Sequence, residues 1–249
     1  AVYLQKVSAK DGYPGGNIDS IKPQKPQKDE VILFVDGLRF DVGRRLSGML
    51  SKRGFSVEEQ PSWAALPSVT PTGKPAVSPV SKKVRGLEEN IDFEPSVQET
   101  GQSLKGGYHL KKLMESAGLK VLEKSESQKV GGHAWTECGD IDHEGHSRGL
   151  KLAKHLSVIL KEVEERIVDL FQEGWASVRV VTDHGWLFMP GGLPKTNLHA
   201  SLVDSKWGRC ASVKPGAKTE ESLFPWFWNR DCLFSLARVV HCYKEGMPV

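Results

Sequence analysis

The stretch V-R-V-V-T-D-H-G-W, residues 178–186, decides the fold when set beside V-I-L-F-V-D, residues 31–36. Each is an apolar, β-branched run that stops on an aspartate. Short runs of this kind mark strands buried in a parallel sheet. In open α/β sheets, ligands gather just beyond the carboxyl ends of such strands. Asp36, Asp183 and His184 are therefore delivered to one edge of one sheet. Carboxylate and neutral imidazole are ligands for zinc or manganese, so a metal site is expected.

Working outward, a helix is expected from about Asp41 to Lys52. Val42, Leu46, Met49 and Leu50 share one face, and Gly54 stops it. A second helix over Tyr108–Ser116 leads into a strand at Lys120–Leu122. A long helix over Arg148–Gln172 carries Leu152, Leu156, Ile159, Leu160, Val163, Ile167 and Leu170 at helical spacing. Residues 61–80 hold Pro61, Pro67, Pro71, Pro75 and Pro79 and read as loop. Residues 81–103 read as a polar surface insertion. The order β-α-loop-α-β-α-β predicts a layered α/β domain. The aromatic run F-P-W-F-W, residues 224–228, reads as core or inter-domain packing rather than a platform for stacked bases. Residues 1–29 are rich in Lys, Gln, Pro and Gly and read as a linker or N-terminal arm. The domain is then residues 30–249. The chain opens on Ala1 and closes on Gly246-Met247-Pro248-Val249, with no capping or tail pattern. It reads as a fragment of a longer protein, truncated at its C-terminal end.

Composition narrows the class. A chain of 249 residues is one large α/β domain or two small ones. A net charge of +3 is too small to argue for nucleic acid by itself. The basic clusters Lys82, Lys83 and Arg85, and Lys105, Lys111 and Lys112, read as solvated surface. The cysteines Cys138, Cys210, Cys232 and Cys242 form no C-x-x-C pair, which argues against a zinc ribbon or redox motif. Scattered cysteines and no signal peptide point to the cytoplasm. No apolar run approaches the ~20 residues that span a bilayer, so no membrane partner is expected.

Three motifs carry chemistry. In G-D-I-D-H-E-G-H, residues 139–146, Asp142 and His146 stand four apart, a spacing that can put both on one side of a helix start. The plain alternative is a polar loop before a helix. L-P-S-V-T-P-T-G-K-P-A-V, residues 66–77, offers the hydroxyls Ser68, Thr70 and Thr72 and the cation Lys74. Hydroxyls between prolines are usually turn residues. A metal changes that, because zinc can lower the pKa of bound water to ~7 and can do the same for a threonine hydroxyl. In D-G-L-R-F-D, residues 36–41, Asp41 can cap a helix. Arg39 can pair with either acid or with an anionic substrate.

The ordered combination resembles the alkaline phosphatase superfamily, and within it the PglZ-domain proteins of bacterial anti-phage BREX systems. The residues that carry the resemblance are V-D-G-L-R-F-D-V (35–42), L-P-S-V-T (66–70), I-D-H-E-G-H (141–146), V-T-D-H-G-W (181–186), P-G-G-L-P-K (190–195) and W-G-R-C-A (207–211). It runs from about residue 30 to the end. It implies an alkaline-phosphatase-like α/β/α fold with a largely parallel central sheet. It also implies a two-metal phosphohydrolase, with zinc the first choice and manganese the second. Asp36, Thr70, Asp183 and His184 match the ligands of one ion, with Thr70 also the nucleophile. Asp142 and His146 match two ligands of the other. Lys74 falls where relatives often carry Arg, and would hold a phosphate oxygen as a point charge. The expected further histidine, from an H-G-G-like motif, does not occur after His184. His199 and His241 are the substitutes available. The C-x-P-x-R motif of sulfatases is absent, which disfavours sulfate esters. The implied substrate is a phosphate ester or a nucleic acid phosphodiester, and the implied partners are other BREX subunits. The rival class is a non-catalytic, metal-stabilised module that assembles with other defence subunits.

Overall fold

The computed structural model describes residues 19–21, 25–90, 92–126, 129, 131–187, 189 and 191–244. The centre is a four-stranded parallel sheet built from β2 (Glu30–Phe34), β6 (Leu119–Val121), β7 (His133–Glu137) and β8 (Ser177–Val181), in the order β6-β7-β2-β8. β2 is buried along its whole length, as its continuous apolar run requires. Its side chains alternate between two cores. Leu33 and Val35 face α1 (Phe40–Lys52) and α5 (Leu152–Gln172), packing on Val42, Leu46, Leu160 and Val163. Ile32 and Phe34 face α3 (Tyr108–Ser116), with Leu110, Met114 and Trp135. Helices thus cover both faces of a mixed α/β domain.

Several elements are not those the sequence pattern predicts. β7 reads H-A-W-T-E and has no β-branched run, yet Ala134, Trp135 and Thr136 are each fully buried. Its place between β6 and β2 makes it a strand. The long helix forms as expected but starts at Leu152, and the segment before it is a helix of its own: α4 (Ile141–Arg148) ends at Gly149, whose φ of +53° starts a short 3₁₀ turn before α5. Residues 81–103 are no surface insertion. Val84 in β4 (Val84–Arg85), Val97 in β5 (Ser96–Val97) and Phe93 between them are all buried.

The proline-rich loop expected at 61–80 instead contains α2 (Thr70–Val77). Pro71 sits in the first turn, where a missing N–H costs little. Pro75 lies inside the helix, so tertiary packing overrides local propensity there. Of the expected N-terminal arm, residues 1–18 and 22–24 lie outside the described residues. Asp19–Ser20 form β1, paired in parallel with β3 (Ser62–Trp63).

A second sheet, four-stranded and antiparallel, lies outside the β-α-loop-α-β-α-β order that the sequence predicts. It consists of β9 (Val203–Lys206), β10 (Cys210–Val213), β11 (Leu223–Trp226) and β12 (Asn229–Leu236), in the order β11-β12-β10-β9. Pro225 is tolerated because β11 is an edge strand with a register shift beside it. Phe224, Trp226 and Phe234 form a core with Phe93, so the aromatic run is packing, as read.

Thr72 ties this sheet to α2. Thr72 is fully buried. Its Oγ1 accepts from Trp226 Nε1 at 3.0 Å, and its carbonyl accepts from Trp228 Nε1 at 3.0 Å. Thr72→Val should therefore strand a buried indole N–H and lower stability by about 1–3 kcal/mol in urea unfolding. A variant as stable as the parent would remove Thr72 from this role.

Candidate metal centre

The site begins with strand register. β2 and β8 are parallel neighbours, with Phe34 level with Val181. Val35 N–H extends the ladder, donating to Val181 O at 3.0 Å. Asp36 and Asp183 both lie two residues beyond that last pair, side by side on the carboxyl edge of the sheet.

Asp183 is 2% exposed. Its Oδ1 accepts from the backbone N–H of His184 at 2.9 Å and of Gly37 at 3.3 Å. Its Oδ2 is buried and has no hydrogen-bond partner. Such an atom asks for an explanation, and a bound cation supplies one. His184 Nδ1 lies 3.0 Å from Gly185 O, so that nitrogen carries the proton and donates. In the neutral imidazole Nε2 then keeps its lone pair, the arrangement that orients a ligating imidazole. It lies 3.4 Å from Asp36 Oδ1 and 3.6 Å from Asp183 Oδ2. One ligand atom from each of the three residues lies within 4.8 Å of the others, the one such grouping among the described residues. The donor set fits a divalent ion.

The electrostatics agree. Burial, reinforced by the charge of Asp183, pushes the Asp36 carboxyl up to about 7. Burial raises Asp183 as well. Burial opposes the imidazolium form of His184, but the carboxylates of Asp183, Asp36 and Asp142 outweigh it and raise its pKa.

The three candidate hydroxyls separate cleanly. Thr70 Oγ1 lies 3.0 Å from His184 Nε2 and 3.4 Å from Asp36 Oδ1. Thr72 is occupied in the core. Ser68 is exposed on the rim of the cleft. Two glycines make the close packing feasible. A Cβ on Gly73 would stand 2.7 Å from Asp183 Cβ, so only glycine lets α2 approach this edge. Gly37, at φ +66°, would place a Cβ 3.2 Å from Asp142 Cβ and so admits the start of α4.

Asp142 and His146 line the same cleft as Thr70 and His184. They share one side of α4, with His146 Nε2 3.2 Å from Asp142 Oδ2. Among the described residues no third ligand joins them. His199 turns to Ser201 Oγ at 2.6 Å, and His241 Nδ1 donates to Arg238 O at 3.0 Å. Neither substitute lines the cleft. Lys74 is also differently engaged: its Nζ pairs with Glu137 Oε2 at 2.7 Å and does not line the cleft. Arg39 makes a two-pronged pair with Asp41, at 2.6 and 2.7 Å, and lies 3.8 Å over the Trp186 ring. It is a structural tie, and Asp41 sits in the first turn of α1 rather than capping it.

The residue that motif reading left without a role is Arg209, which lines the cleft with Trp207. It stands in the W-G-R-C-A motif, to which the resemblance attaches no role, and belongs to the turn between β9 and β10. The chain matches no family model and has no significant match among curated proteins. All four cysteines are free. No helix among the described residues is long and apolar enough to cross a membrane.

Zinc or manganese titrated into the protein should bind one site tightly, and Asp183→Asn should abolish that binding. Because Asp36 holds its proton up to about 7, the ion must displace it. Affinity should rise with pH below that value and level off above it. Calorimetry in buffers of different ionisation heat counts the displaced proton. A pH-independent affinity below 7 would contradict the assignment of Asp36.

Proposed function

We propose that the protein is a metal-dependent phosphohydrolase of the alkaline-phosphatase type, similar to the PglZ-domain proteins of BREX anti-phage systems. Its substrate is a phosphate ester or a nucleic acid phosphodiester, and it works with other BREX subunits. The observation that carries this reading is the Thr70 hydroxyl, 3.0 Å from His184 Nε2 and beside Asp36. A hydroxyl seated on a cluster of metal-type ligands is placed for nucleophilic work.

Asp36, Asp183 and His184 would hold one ion, zinc first and manganese second, with Thr70 as a further ligand. When bound, such an ion lowers the pKa of a ligating hydroxyl and stabilises charge on oxygen. Asp142 and His146 would contribute two ligands to a second ion. Thr70 opens α2, so its oxygen sits at the positive end of that helix, which favours the alkoxide. His184, held by Gly185 O, keeps Nε2 directed at the same oxygen. Thr70 releases its hydroxyl proton to solvent, its Oγ1 bonds to phosphorus, and the bond to the leaving oxygen breaks, that oxygen taking a proton from solvent. Water then cleaves the phosphothreonine and releases the phosphate product. The mixed α/β arrangement around a parallel sheet supports the superfamily reading, as does the delivery of Asp36, Asp183 and His184 from two strand ends.

A second reading, the non-catalytic module that assembles with defence subunits, is favoured by one observation: Asp142 and His146 lack a third ligand among the described residues. One experiment separates the two. Loaded with zinc or manganese, the protein should hydrolyse bis-p-nitrophenyl phosphate, with plasmid DNA as the nucleic-acid counterpart. Thr70→Ala should reduce turnover by at least about a thousandfold, while Thr70→Ser keeps part of it. Turnover that survives Thr70→Ala would shift the nucleophile to water. Absence of turnover in the parent would favour the module.

A further inference from the structure

The cleft has one wall that the reaction as described does not use. It comes from the antiparallel sheet, at the turn Trp207-Gly208-Arg209-Cys210. That turn is rigidly held. Trp207 N–H donates to Cys210 O at 2.8 Å. Ala237 N–H donates to Arg209 O at 2.8 Å, and Tyr243 N–H donates to Gly208 O at 2.7 Å.

The Arg209 side chain is fixed too. Its Nε donates to His241 O at 3.3 Å, and its Nη2 donates to Val239 O. A guanidinium carries five N–H donors, so donors on Nη1 and Nη2 remain uncommitted. Among the described residues Arg209 has no carboxylate partner, unlike Arg39 with Asp41 or Arg238 with Glu221. Burial disfavours its charged form. A half-buried cation without a counter-ion is unfavourable unless an anion visits. The other cation read for this role, Lys74, is held by Glu137.

We infer that Arg209 is the anion-binding arm of the cleft, holding a non-bridging oxygen of a phosphate ester across from Thr70. The substrate class rests on the phosphohydrolase reading; the anion site itself rests on the placement of Arg209. Arg209 is preorganised by its two carbonyl partners, so little rotamer freedom is lost on binding. A planar fork also suits phosphate better than an ammonium.

The test uses the zinc-loaded protein and inorganic phosphate as probe, followed by isothermal titration. Arg209→Gln should weaken phosphate binding by about tenfold or more, and Arg209→Lys should fall between the two. Zinc affinity should not move in either variant. A purely structural role would lower thermal stability and leave phosphate affinity unchanged, which would overturn the inference. Loss of the carbonyl contacts can unfold Arg209→Gln, so a measurement on the unaltered protein stands beside it. Phosphate should slow phenylglyoxal modification of Arg209, read by mass spectrometry, and absence of protection overturns the inference. Phosphate held through Arg209 in a protein without turnover removes the enzymatic reading and leaves the anion site standing. Turnover whose KM and phosphate inhibition ignore both variants does the opposite.

Discussion

Two carboxylates held out of water at one edge of a parallel sheet are the constraint around which this chain is arranged. Asp36 and Asp183 are neighbours because β2 and β8 run parallel and in register to their last pair. Burial disfavours the ionisation of both acids, and the charge of Asp183 adds to the effect on Asp36. The backbone answers with two N–H donors on Asp183 Oδ1 and leaves Oδ2 without one. The loops that carry the two acids are tied together as well. Trp186 Nε1 donates to Gly37 O at 3.0 Å, and Arg39 spans from Asp41 to the Trp186 ring. These ties hold two acids close where repulsion alone would part them.

Helix α2 serves both halves of the molecule. Thr70 in its first turn meets His184 and Asp36, while Thr72 accepts the indole N–H of Trp226. The position of the nucleophile candidate and the docking of the antiparallel sheet are therefore one structural fact. That sheet in turn carries Arg209 into the cleft. A disturbance of Thr72 would be felt at both walls, because each is referred to the same short helix.

The parallel core was legible because its signals are local. A continuous apolar run marks β2, and helical spacing marks α5, whose expected apolar face is the buried one. The metal triad was legible for the same reason: its residues follow strand ends directly. What stayed hidden depends on contacts distant in sequence. β7 is a strand because β6 and β2 flank it, not because H-A-W-T-E favours extension. α2 forms in spite of Pro75 because Gly73 packs against Asp183 and Thr72 against Trp226. The antiparallel strands have mixed patterns and a proline at an edge, so no period announced them. The role of Arg209, though its motif W-G-R-C-A is visible, was hidden with them. Position after Thr70 marks Lys74 as the phosphate cation, but Glu137, 63 residues further along the chain in β7, decides where its charge goes.

The buried acids would also couple the fold to a bound ion. In the absence of a cation, Asp36 binds its proton more tightly folded than unfolded, since its value rises from 3.8 to about 7. Its contribution to stability is then full at low pH and is lost as pH climbs through that window. A cation that binds only the folded state reverses the direction. It would keep Asp36 and Asp183 ionised, satisfy Oδ2, and stabilise more as pH rises and competing protons leave. The arrangement that costs the metal-free chain stability near neutral pH is the one that makes it a strong ligand set there. A neutral or solvated pair in place of Asp36 and Asp183 would relieve the first effect only by giving up the second.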